Sequence, residues 1–185
     1  MSSATSKQLS ESPLYVVKSI FMLDGEGKRI FAKYYANQEF PNKPKQQQFE
    51  SKVWQKTRRF RSEILIFEEY MIAYRTVTDV TLCVIGDAQE NEILLSSVLE
   101  TFYDTCCCIL ETYQFDKRYI LDNIDYVLLA LDEHIDGGII IESEPELIAE
   151  RVRLHQSDDD IPLAEQTLTE ALKTARDQIA RSLLN

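Results

Sequence analysis

Between residues 63 and 87, three runs of strand-forming residues follow one another almost without a break. They are "EILIFEE" (63–69), "MIAYRTV" (71–77) and "VTLCVIGD" (80–87). Each is rich in β-branched and aromatic side chains, which suit a pleated, half-buried surface. Only residue 70 separates the first two, and only Thr78 and Asp79 separate the second from the third. A parallel neighbour needs a crossover of roughly a dozen residues, so strands this close in sequence pair antiparallel. A meander therefore sits at the centre of the fold, and every other element has to pack on it.

The N-terminal third adds two strands. "LYVVKSIFML" (14–23) and "RIFAKYY" (29–35) flank the turn signal "DGEGK" (24–28), which predicts a β-hairpin. The remaining periodic segments are helical. One runs from about Gln46 to Arg61, with Phe49, Val53, Trp54 and Phe60 on its apolar side. A second runs from about Asn91 to Tyr113, with Leu95, Val98, Leu99, Phe102, Cys106, Ile109, Leu110 and Tyr113 in its stripe. A third runs from Lys117 to Ile135, capped by Asp116, with Ile120, Ile124, Val127, Leu128, Leu131 and Ile135 inward. The predicted class is α+β: a five-stranded antiparallel sheet with one helix on one face and two on the other.

Three regions divide the chain. Residues 1–12 are polar and Ser-rich and are expected to be disordered. Residues 13–150 form the domain. Residues 151–185 form an acidic linker and a C-terminal amphipathic helix. In detail, "EPELIAERVRL" predicts a short helix and "HQSDDD" a linker. A second helix follows, capped by Asp159 or Asp160, with Pro162 in its first turn and Leu168, Leu172, Ala175, Ile179 and Leu183 on one face.

The stretch "LDEHIDGGIIIESEP" (131–145) is the place to look for chemistry. Asp132, Glu133, His134 and Asp136 could be metal ligands or an acid–base group. The pattern reads instead as the end of a helix, a boundary and not a site, with a cationic His134 favoured by the helix dipole and Gly137 or Gly138 closing the last turn in the left-handed conformation. Elsewhere the chain carries no HExxH, GxSxG or CxxC, and "DGEGK" is too short for a phosphate loop. No enzyme activity, metal or cofactor is expected. Cys83, Cys106, Cys107 and Cys108 read as small core residues plus one or two exposed thiols in a reducing compartment.

The net charge is −11, which argues against nucleic-acid binding by the surface as a whole. No run of apolar residues approaches the ~20 of a membrane span, and "MSSATSKQLSESP" lacks the apolar core of a signal peptide. A cytosolic location is expected, with any membrane contact peripheral. One segment runs against the overall charge. Between residues 43 and 61 lie Lys43, Lys45, Lys52, Lys56, Arg58, Arg59 and Arg61, with Glu50 as the one acid. Lys52, Lys56, Arg58, Arg59 and Arg61 are the candidate partner-binding residues, for an acidic partner or for anionic lipid headgroups.

The order of elements, with its residues, resembles the longin-like small chains of vesicle coats. These are the σ chains of clathrin adaptors and, more closely, the ζ branch of coatomer. "SIFMLDGEGKRIFAKYY" and "YRTVTDVTLCVIGDAQENEILL" carry the likeness, together with "LDEHIDGGIIIESEP", where σ chains show a similar "DE…GE…ET". The paired glycines and following apolar triplet resemble the ζ form, as does the tail beyond about Arg151. The resemblance covers roughly residues 13–150. It implies a longin-like domain that is a structural subunit of the COPI coat and performs no reaction. It implies pairing with the large coatomer γ subunit and contact with other coatomer subunits. Recruitment to Golgi membranes by an Arf-type GTPase, for retrograde Golgi-to-ER and intra-Golgi transport, comes with it. Alternatives are a clathrin-adaptor-type σ chain, another longin-like trafficking module, or a small-molecule-sensing α/β domain. Adaptor σ chains also hold dileucine signals in an apolar pocket. The corresponding loop here, "VTDV" (77–80), offers polar Thr78 and Asp79, so that site is not carried over.

Overall fold

The meander forms. A computed structural model describes residues 16–58, 63–113 and 116–159, with side chains to residue 155. In it, β1 (Ser19–Asp24), β2 (Arg29–Tyr34), β3 (Ile64–Phe67), β4 (Tyr70–Val77) and β5 (Val80–Asp87) make one sheet in the order β2-β1-β5-β4-β3. Every pairing is antiparallel. The middle stretches of the central strands are apolar on both faces. Ile20, Met22, Leu82, Val84 and Ala73 enter one core, while Phe21, Leu23, Cys83, Ile85 and Ile72 enter the other. A sheet with two apolar faces needs helices on both.

One face is covered by α1 (Lys43–Thr57). It starts three residues ahead of the sequence expectation. The Asn42 side chain accepts from the Lys45 N–H at 3.0 Å, and Pro44 falls in the first turn, where its missing N–H costs nothing. Pro44 thus belongs to the helix start. Phe49 and Val53 point inward, and Phe49 joins Phe21, Phe40 and Tyr70 in a cluster of ring contacts. The helix gives way at Arg58; the expected continuation through Phe60 to Arg61 lies outside the described residues.

The opposite face carries α2 (Glu92–Leu110), α3 (Lys117–Asp122) and α4 (Ile124–His134). Asn91 caps α2 through the Ile93 N–H. By length and composition α2 could cross a membrane, but it is mostly buried on the sheet and is a core helix. It ends at Glu111 in the left-handed conformation, φ 52°. That turn throws Tyr113, expected in the buried stripe, out to 79% exposure. The single helix expected over 117–135 is broken at Asn123. The Asn123 side chain donates to the Tyr119 carbonyl, competing with the helical ladder, and its φ of −127° leaves the helix. The second turn of direction exposes Leu128 to 41%.

The stretch expected as a short helix followed by a linker is one helix. α5 runs from Pro145 to Asp159 and so crosses both the expected linker and the expected boundary at residue 150. Ile148, Ala149 and Val152 are completely buried, in the core that α2 and α4 also line. The C-terminal helix expected beyond it, and the N-terminal segment before Val16, lie outside the described residues.

Candidate partner-binding surface

The acids and histidine of residues 132–136 are not brought together. Asp132 pairs with Lys33 on β2, Glu133 lies 3.6 Å from both Arg151 and His155 on α5, and Asp136 is exposed. Among the described residues no group of three His, Cys, Asp or Glu side chains is placed to hold a metal. His134 is completely buried. Its Nδ1 lies 2.6 Å from the Glu142 carbonyl and its Nε2 lies 3.2 Å from the Val98 carbonyl of α2. Burial lowers its pKa below the ordinary 6.5, against the pull of those two carbonyls. Burial thus disfavours the cation that a charge–dipole role would need, while the two facing carbonyls favour it, since a neutral ring donates to only one of them. His134 is a polar brace between α2, α4 and the segment leading into α5.

That brace has a pH signature. The unfolded histidine binds a proton below about pH 6.5 and the folded one resists it, so stability falls as pH drops through and below that value. The slope approaches about 1.4 kcal/mol per pH unit at most. Unfolding free energies measured from about pH 7.5 to about pH 5 should show this slope in the wild type and a shallower one in His134→Gln. Equal slopes would remove His134 as the cause.

The paired glycines also do something other than expected. Ile135 leaves α4 in extended conformation, so no glycine closes the helix. Gly137 (φ 57°) and Gly138 (φ 88°) instead form the two-residue turn between β6 (Ile135–Asp136) and β7 (Ile139–Ile140). Two consecutive positive φ values match the tight hairpin turn that follows strand twist. Gly138 also packs on the chain's start: its carbonyl accepts from the Val17 N–H, and a Cβ would stand 2.6 Å from the Val17 oxygen.

The basic segment is a surface. Lys43, Lys45, Lys52, Lys56 and Arg58 are all exposed on α1. Glu50, the acid among them, is turned inward and is 2% exposed. Arg29 of β2 meets it through Nη2 at 2.6 Å and Nε at 2.9 Å, and the Tyr34 hydroxyl donates to it at 2.8 Å. Burial, with the Glu50 charge, pushes the Tyr34 phenol far up, which keeps it a donor. The outward side of α1 is left without an acid. Three of the five candidate residues have local anchors. Lys52 lies 3.0 Å from Glu68, Lys56 sits over the Phe67 ring, and Arg58 stacks 4.5 Å from Trp54. Arg59 and Arg61 lie outside the described residues.

Beside the end of α1 is an open cleft of about 270 Å³ lined by Arg58, Thr57, Thr76, Thr78, Asp79 and Thr81. Thr76 and Thr81 share a hydrogen bond, and the Asp79 carboxylate accepts from the Lys117 N–H at the start of α3. Gly25 and Trp54 complete the lining, which is therefore mixed polar and apolar. Burial raises the pKa of Cys83, Cys106, Cys107 and Cys108, which disfavours the thiolate; Cys108 is half-buried and the other three are buried.

The sheet order, its helices and the glycine hairpin between β6 and β7 have counterparts in known proteins. The family described as clathrin adaptor complex small chain matches residues 16–159. Coatomer subunit zeta-1 of Homo sapiens is 40% identical over 174 residues, covering 94% of this chain and 96% of the relative. Coatomer subunit zeta-1 of Arabidopsis thaliana is 40% identical over 172 residues, covering 91% and 96%. A chain of the AP-3 complex in a stretched open conformation superposes with a TM-score of 0.60 at 18% identity, covering 83% of this chain and 98% of that one, which supports the fold. The chain belongs to the clathrin adaptor small-chain family, on its coatomer ζ branch.

Proposed function

We propose that this protein is a non-enzymatic subunit of a COPI-type vesicle coat and pairs with the large coatomer γ subunit. Acting with the other coatomer subunits, it would sit on the cytoplasmic side of Golgi membranes and be recruited there through an Arf-type GTPase. Its work would be retrograde Golgi-to-ER and intra-Golgi transport. The observation that carries the reading is the likeness to ζ subunits, which extends over 94% of the chain and is not confined to one motif. Within the chain we take the small-chain domain to begin near residue 13 and to include α5 at least as far as Val152, with the tail beyond it as a separate region.

Pairing with an obligate large partner buries on the order of 2,000 Å² or more. A partner at about one hundred times its Kd adds about 2.7 kcal/mol of apparent stability. Co-expression of the full chain with the γ trunk should therefore yield a one-to-one complex that melts about 5 °C or more above the isolated chain. An isolated chain that is stable and has no affinity for γ would refute the coat reading.

A further inference from the structure

α5 carries leucines on the side turned away from the core. Ile148, Ala149 and Val152 are completely buried against α2 and α4. Leu147 and Leu154 are seven residues apart, so they share one stripe of the helix, and that stripe lies opposite the buried one. They are 41% and 60% exposed, and Ile141, just ahead of the helix, is 56% exposed. A helix that is apolar on two sides has a second surface to cover. The chain supplies a cover of matching period. α5 ends at Asp159. Beyond it, Leu168, Leu172, Ala175, Ile179 and Leu183 keep a single stripe at helical spacing. Asp160 to Pro162 give a connection of the length that joins two antiparallel helices, and a proline suits a helix start. With the turn centred on Ile161, the two stripes fall into register. Leu154 lies seven residues before that centre and Leu168 seven after it; Leu147 and Ala175 lie fourteen to either side, and Glu146 and Arg176 fifteen. Each exposed leucine of α5 is then level with an apolar residue, and an exposed acid is level with a base. Ile179 comes level with residue 143, beyond the start of α5 and close to Ile141.

We propose that residues 163–184 fold back along the outward face of α5 as an antiparallel helix, seated on Leu147 and Leu154. The coat reading is not needed for this inference. Two other occupants fit the observations less well. A helix that lies in a membrane surface is rich in lysine and arginine on its polar face, whereas residues 160–185 hold four acids and three bases. A second copy of the chain competes with a three-residue tether, which holds the two stripes at an effective concentration on the order of millimolar.

Hydrogen exchange read by mass spectrometry on the full chain tests this. A lone helix of this length is marginal in water, so slow exchange over the tail reports packing. Amides of residues 168–183 should exchange about tenfold or more slowly in the wild type than in Leu147→Gln with Leu154→Gln. Glutamine has about the helix propensity of leucine, so the difference reports a lost contact and not a weakened α5. The reciprocal pair, Leu172→Gln with Ile179→Gln, should lose the same protection. Each pair should lower the melting temperature by about 2–4 °C, and the four substitutions together should cost no more than one pair, because they break one contact. Fast exchange over the tail in the wild type would overturn the proposal. So would a protected tail that is indifferent to the α5 pair, or melting losses that simply add. Protection that grows with protein concentration, alongside a dimer in sedimentation, would hand the stripe to a second copy and overturn it as well.

Discussion

Glu50→Ala should destabilise the protein by about 3–5 kcal/mol. The carboxylate is 3% exposed and the Arg29 side chain 18%, so their interaction lies largely out of water. Removing the acid leaves the guanidinium with a long contact to the Gln46 side chain at 3.4 Å and the Tyr34 ring at 5.8 Å, and leaves the Tyr34 hydroxyl without its acceptor. Most of the loss is the penalty of an uncompensated charge, not the worth of the pair. The double variant Glu50→Ala with Arg29→Met should therefore recover a substantial part of it. Urea denaturation of the two single variants and the double gives the coupling directly. A single-variant loss below about 1 kcal/mol would mean that Arg29 reaches water easily, and that α1 is not clamped to β2 as described.

This clamp shows what the sequence could and could not disclose. The meander was legible because chain connectivity alone decides it: gaps of one and two residues leave antiparallel pairing as the way neighbouring strands join. The two apolar faces of β1 and β5 were legible because side chains alternate. Glu50 was not. As the one acid in a basic helix it reads as part of the solvated face, since its partners Arg29 and Tyr34 lie 21 and 16 residues away on another element. His134 failed for the same reason: its carbonyl partner at Val98 is 36 residues distant. Asn123 and Glu111 ended helices whose apolar spacing continued past them, so periodicity overran the true ends and placed Tyr113 and Leu128 inward. Of the candidate site, the charge was visible in the sequence; which lysines are tethered required the fold.

Phe102→Ala should cost about 3–5 kcal/mol, whereas Tyr113→Ala should cost less than about 0.5 kcal/mol. The comparison is pointed because helical spacing places both residues on one stripe, while the structure separates them. Phe102 is completely buried at the middle of α2, with its ring edge-on to Phe31 of β2 at 6.1 Å. Truncation removes its transfer free energy and opens a cavity between helix and sheet that rigid neighbours on both sides cannot close. Tyr113 lies beyond the left-handed turn and is 79% exposed. The contact that ties this region down, the Tyr103 hydroxyl to the Tyr113 carbonyl at 2.7 Å, uses backbone and survives the substitution. Urea curves for both variants should keep the wild-type m value and differ in midpoint. Comparable losses at the two positions would mean that α2 continues through residue 113 as the periodicity suggests. The face it presents to the sheet, and with it the placement of α5, would then have to be redrawn.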